Sequence, residues 1–384
     1  MTAARPLVRL DAAAHLCADD LKAAPAAVTG AAVRRGDAFV HGLGAAGRLW
    51  GEDDAPAATT ETIFDLASVT KPLTALALAR LEKQGLLHRS ERLGDILPEL
   101  AGTPSAGLPL DLFAAHRAGL DGHRPLYAPL VEGKPVDPAA SRIVAASARR
   151  EGCAGEPPDA EGFEPVYSDL GYLLLGEAIA RRGGDDLDRV IEREVIDPLD
   201  LGAIGSARRL RERLAPGAFD ARVAPTEVVA WRGGTIRGAV HDENAWALSA
   251  DRCSGHAGLF GDARAVVLLG AAILDALAGR RPGWLGPDDL APLVRPRPGG
   301  SLLAGFDHRS GDTPSSGARF GPRTFGHLGF TGTALWIDPD AELAGVLLTN
   351  RVHPTRETLL IRKARPLVFD AIADAMLSSA PAVS

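Results

Sequence analysis

Strand-like patterns sit at both ends of this 384-residue chain and helical patterns fill the span between them, a distribution that restricts the fold more than any other feature. Near the N-terminus, "AAVTGAAVRRGDAFVHGLGAAGRLW" has two apolar runs separated by Gly36-Asp37, the signature of a hairpin. Near the C-terminus, "GHLGFTGTALWIDPD" and "LAGVLLTNR" flank a Pro339-Asp340 turn, and the helical pattern "ARPLVFDAIADAML" follows. Between about residues 88 and 260 the patterns are short, helical and broken by Pro and Gly, with "DLGYLLLGEAIARRG" the clearest. These patterns predict an α+β fold: an antiparallel sheet flanked by helices and built from both termini, around a mostly helical insertion. The expected division is residues 1–87 with 262–384 as the sheet domain and 88–261 as the helical one, with a site between them.

One stretch stands apart. In "FDLASVTKPLTALALARL", residues 64–81, a polar Ser-Val-Thr-Lys opens an otherwise apolar helix that stops at Gly85. Pro72 has no N–H for the carbonyl of Ser68, so the regular helix does not begin before Ser68. That places Ser68 at a helix N-terminus, where free N–H groups and the helix dipole favour developing negative charge. Lys71, three residues on, returns to the same face, within hydrogen-bond reach of the hydroxyl. The chain holds only five lysines against a large excess of arginine. Arginine does not give up its proton, whereas a desolvated lysine does, so a lysine kept here suits a base that activates a serine nucleophile. Read alone, Ser68 is equally a plain helix N-cap. Two further polar clusters at element ends shift the balance: Tyr167-Ser168-Asp169 before a helix, and His327-Leu328-Gly329, expected at the start of a C-terminal strand.

Composition excludes several partners. A formal charge of −7 with no dense basic run offers nothing to a phosphate backbone, so no nucleic acid is expected. No apolar run reaches the roughly 18 residues of a membrane span, and Arg9, Asp11 and His15 interrupt any signal-peptide core, which predicts a cytoplasmic protein. Cys17, Cys153 and Cys253 have neither metal-ligand spacing nor an even count for a disulfide framework. No metal site is expected. Oligomeric state is not legible.

With the three clusters in this order, the chain resembles the serine β-lactamase and penicillin-binding-protein superfamily, in its class C-like branch of D,D-peptidases, D-aminopeptidases and related esterases. The segments that carry the resemblance are "IFDLASVTKPLTAL", "YSDLGYLLLGE", "VHDENAWAL", "GHAGLFGDA" and "GHLGFTGTALWIDP", spread from about residue 30 to 350. The resemblance implies that Ser68 attacks a carbonyl carbon, that Lys71 helps remove its proton and that Tyr167 relays protons to the leaving group and the deacylating water. It implies an oxyanion hole from the backbone N–H groups of Ser68 and Phe330, with Asp169, His327 and Gly329 close by, and neither a cofactor nor a metal.

Two departures bear on substrate. Asp169 stands where the family commonly has Asn, so a carboxylate near Lys71 is expected to hold it protonated and move the burden to Tyr167. His327-Leu328 lacks both a permanent cation and a hydroxyl for a substrate carboxylate, His327 being expected to be partly charged near neutral pH. The expectation is a small-molecule acyl substrate that is neutral, an ester or uncharged amide. β-Lactamase or D-amino-acid peptidase activity is the alternative, and a non-catalytic scaffold the alternative of another class. His116 and His256 fall in segments near the cleft, Gly255 and Gly258 read as turn residues, and the neighbours His241 and Asp242 read as structural.

Overall fold

A computed structural model describes residues 8–51, 54–153, 155 and 158–378. Residues 1–7, part of the N-terminal stretch discussed above, lie outside the described residues. The main sheet has seven strands: β1 (Val8–Arg9), β2 (Ala26–Arg35), β3 (Ala38–Gly47), β4 (Asp307–His308), β5 (Phe325–Leu328), β6 (Ala334–Asp338) and β7 (Leu343–Thr349). Their order is β1-β3-β2-β7-β6-β5-β4, so the two chain ends meet where β2 pairs with β7 from Ala27↔Thr349 to Val33↔Leu343. All pairings are antiparallel except that of the two-residue edge strand β1, which runs parallel to β3. The hairpin turn falls at Gly36-Asp37, with Gly36 at φ +61°, a conformation glycine adopts without steric cost. In the β6–β7 turn, Asp338 accepts from the backbone N–H groups of Asp340 and Ala341.

Helices cover both faces of this sheet, which explains why β2 and β7 read as continuous apolar runs. Val28, Ala32, Val346 and Leu348 belong to the larger core, with helices α1 (Thr70–Lys83), α2 (Asp169–Gly183) and α3 (Ala263–Leu277). Ala27, Ala31, Val33, Leu343 and Leu347 point to a second core under α4 (Ile361–Ser378). The period-two alternation is present, but both faces are dry. Small residues let α3 lie close: a Cβ on Gly30 would meet Val267 at 2.6 Å and one on Gly270 would meet Ala344 at 2.7 Å.

The proposed division at 87/88 and 261/262 leaves all seven main strands on one side. The span between is mostly helical but not wholly so. Leu259–Gly261 pairs with Phe64–Asp65 on one side and Ile204–Ser206 on the other in a three-stranded sheet just ahead of Ser68, and Val228–Val229 pairs with Gly234–Thr235. The His327-Leu328 pair ends a strand rather than starting one, because Gly329 and Gly332 (φ +103°) turn the chain immediately after β5. Among the described residues no helix is long and apolar enough to cross a membrane, and all three cysteines are free and buried.

Candidate active site

Ser68 sits in a single 3-10 turn, Ala67–Val69, that leads into α1. The preceding Ala67 is held at φ +47°, a strained value for a residue with a Cβ. Asp65 fixes this turn: its carboxylate accepts from the N–H of Ala67 (2.8 Å) and of His241 (2.7 Å). Burial raises the pKa of Asp65, with those two N–H groups opposing.

Lys71 is wholly buried and its ammonium donates three hydrogen bonds, to Ser68 Oγ (2.9 Å), Asp169 Oδ1 (2.7 Å) and the carbonyl of His256 (3.3 Å). An ammonium has three donors, so the set is complete. Burial pushes the Lys71 pKa down, yet the Asp169 carboxylate and the Tyr167 phenol outweigh it and the net shift is upward. The Asp169 carboxylate therefore holds Lys71 as a cation.

Asp169 reaches Lys71 because it is the first residue of α2. Ser168 caps that helix, accepting from Gly171 N–H (3.2 Å) and donating to the carbonyl of Asp121 (2.6 Å). Tyr167 lies with its ring centroid 4.6 Å from Lys71 Nζ and stacks on His116 at 4.7 Å. Burial of its phenol end raises its pKa against the pull of Lys71, so it rests neutral. His116 is buried at φ +59°, and its Nδ1 accepts from Ser168 N–H (3.0 Å), which puts the ring proton on Nε2. It backs Tyr167 and does not line the cavity.

His327 is 4% exposed, and its Nδ1 donates to the Leu328 carbonyl (2.8 Å). Burial, and then the Lys71 charge, push its pKa down to about 3. That corrects the expectation of partial charge: the imidazole is neutral. The sign for stability follows. A histidine whose folded-state pKa lies below its ordinary 6.5 stabilises fully above that value and loses the contribution as pH falls toward 3. We expect His327→Gln to flatten the fall of stability with acid by up to about 1.4 kcal/mol per pH unit in that window, measured by denaturant unfolding at stepped pH. Parallel slopes for both proteins would refute it.

The loop after β5 is stitched to the Ser68 turn. Thr331 and Thr333 hydroxyls donate to the carbonyls of Asp65 (2.8 Å) and Leu66 (2.9 Å), and buried Arg365 donates to the carbonyls of Gly329 and Thr333. A Cβ on Gly329 would fall 1.9 Å from Thr333 Oγ1 and 2.7 Å from the Leu66 carbonyl, so only glycine fits. Ser68, Tyr167, Asp169, Gly329 and Phe330 border one cavity of about 530 Å³, with Lys71 and His327 buried beside it.

Several bordering residues were not singled out from sequence. His241 and Asp242, together read as structural, both border the cavity, Asp242 pairing with His256 (2.9 Å) and His241 with Glu227 (3.1 Å). Arg351, Arg356, Arg362 and Arg365 also border the cavity. Their signal was present as a local excess of basic residues in "RVHPTRETLLIRKAR". Arg351 donates to the carbonyls of Phe330, Arg356 and Thr358, and Arg356 pairs with Glu227 and Glu243. Arg362 is exposed, and no carboxylate among the described residues pairs with it. Among the described residues no group of His, Cys, Asp and Glu is arranged to hold a metal ion.

The family model described as Beta-lactamase matches residues 19–368. An N-acetylmuramyl-L-alanine amidase of Bacillus subtilis (strain 168) is 32% identical over 318 residues, covering 77% of this chain and 69% of that protein. A putative D-alanyl-D-alanine carboxypeptidase of Escherichia coli (strain K12) is 29% identical over 328 residues, with 77% and 70% covered. Among solved structures, a class C beta lactamase from Rhodobacter sphaeroides superposes with a TM-score of 0.66 at 18% identity, over 94% of this chain and 98% of that one.

Proposed function

The chain belongs to the beta-lactamase family and is a serine hydrolase of that family, and from that premise we propose that it works through an acyl-enzyme on Ser68, on neutral esters or uncharged amides. The observation that carries the substrate preference is the buried, neutral His327 followed by Leu328, which give a substrate carboxylate neither a cation nor a hydroxyl.

In the proposed cycle, Lys71 first loses a proton, the step that sets the rising limb of activity against pH, which leaves an amine beside Ser68 Oγ. The Ser68 hydroxyl proton moves to Lys71 as Oγ bonds the carbonyl carbon. The backbone N–H groups of Ser68 and Phe330 take the negative oxygen, each such donor supplying roughly 3 kcal/mol. The leaving group departs with a proton relayed through Tyr167, and water enters by the reverse path to release the acid and restore Ser68. No step requires a cofactor.

The test is parallel turnover of a short-chain p-nitrophenyl ester and a chromogenic cephalosporin. Turnover of the ester well above that of the cephalosporin supports the neutral-substrate reading, and the opposite ranking overturns it.

A second reading has its own observation. Arg362, exposed at the cavity rim, is a cation positioned for a carboxylate-ended peptide, and one similar protein is named as a carboxypeptidase. If that reading holds, Arg362→Ala raises KM for a carboxylate-terminated acyl peptide about tenfold and leaves its neutral amide counterpart within about twofold. Equal effects on both peptides would dismiss it.

A further inference from the structure

We propose that the rim of the Ser68 cavity carries a sugar subsite, a stacked aromatic pair made by Tyr127 and Trp231, and that the substrate includes a pyranose ring. The proposal rests on reading the cavity as the acyl-transfer site. Tyr127 borders the cavity, and its ring stacks on Trp231 with centroids 5.6 Å apart and planes 9° from parallel. Trp231 is 37% exposed, a large fraction for the biggest apolar side chain, and it abuts Trp246 edge-on at 5.9 Å. The Arg232 guanidinium lies over Trp246 at 4.1 Å.

The platform is held firmly. Buried Asn244 accepts from Tyr127 N–H (3.2 Å) and donates to the Arg124 carbonyl (2.8 Å), fixing the loop under Tyr127. Trp231 sits in a one-turn 3-10 helix between two paired strands, and Arg232 beside it donates to the carbonyls of Val240 and His241. Rings placed by backbone hydrogen bonds lose little freedom when a ligand covers them.

The surroundings choose the ligand. His123, Glu243 and Arg356 border the cavity along with Tyr127, so apolar ring faces adjoin donors and acceptors. A pyranose has that division, with C–H bonds on its faces and hydroxyls around its edge. A planar aromatic ligand would cover the rings and leave exposed His123 with nothing but water, Arg356 and Glu243 being already paired with each other. Tyr and Trp suit such a place because each joins a broad apolar surface to a polar tip.

The experiment is calorimetric titration of the full chain with N,N′-diacetylchitobiose, whose pyranose rings carry equatorial substituents, and separately with indole. We expect saturable millimolar binding of the disaccharide, weakened about tenfold or more in Trp231→Ala and in Tyr127→Leu, and kept within about threefold in Trp231→Phe, which retains a ring. Absence of disaccharide binding to the wild-type protein, equal binding by the Ala and Leu variants, or indole binding without disaccharide binding would overturn the proposal. Fluorophosphonate labelling of Ser68 in the wild-type protein separates the two readings. Labelling without disaccharide binding sinks the platform alone, and failure to label sinks the acyl-transfer reading.

Discussion

Ser68→Ala lowers kcat/KM for a short-chain p-nitrophenyl ester by about 10,000-fold or more, because loss of the nucleophile removes the covalent route and leaves only the polarising donors and substrate binding. Alanine removes only a hydroxyl that hydrogen-bonds Lys71 and keeps the Cβ in place, so the fold should survive. Steady-state kinetics with a melting curve on the same sample check both halves. A folded variant with more than a tenth of the activity would mean that Ser68 is not the nucleophile.

Asp169→Asn moves the pH dependence. In the wild-type protein the carboxylate outweighs burial and keeps the Lys71 pKa above its ordinary value. With the charge removed and the shape kept, burial dominates and the same lysine titrates below its ordinary value. The rising limb of kcat/KM against pH therefore shifts toward acid, by a unit or more on the scale of about 1.4 kcal/mol each. Stability changes with opposite sign on the two sides. The wild-type pair stabilises below the ordinary lysine pKa and loses its contribution as pH rises through the raised one. In the variant, Lys71 must lose a proton to stay buried, so stability is complete at high pH and falls as pH drops. At neutral pH we expect a loss of about 3–5 kcal/mol if the lysine stays charged, and less if it gives up its proton. An unmoved rising limb would show that Lys71 does not set it.

How much of this was readable from the residues depends on whether the interaction is local. The helix Asp169–Gly183 was plain, because Ser168 caps it and Gly184 ends it at φ +72°. The Gly36-Asp37 hairpin and the assembly of one sheet from both termini were equally plain. The strand end at His327-Leu328 was misplaced, because what ends β5 is a glycine turn that reads as flexible from sequence and is fixed only by the Thr331 and Thr333 bonds to residues 65 and 66. The third partner of Lys71 is a backbone carbonyl, which no motif can display. The arginines of 351–365 were not singled out, and they reach the cavity only because the segment from the end of β7 into α4 folds over the loop that carries Phe330. Neutral His327 escaped for a related reason: an imidazole next to a lysine in space and 256 positions away in sequence has a charge state that the third dimension decides.

The central claim is a covalent acyl-enzyme on Ser68, and intact-protein mass spectrometry after brief reaction with a fluorophosphonate, followed by peptide mapping, tests it most directly. The account predicts a single adduct, located on the peptide containing Ser68 and absent from Ser68→Ala. An adduct on another residue, or an unmodified protein, would contradict it.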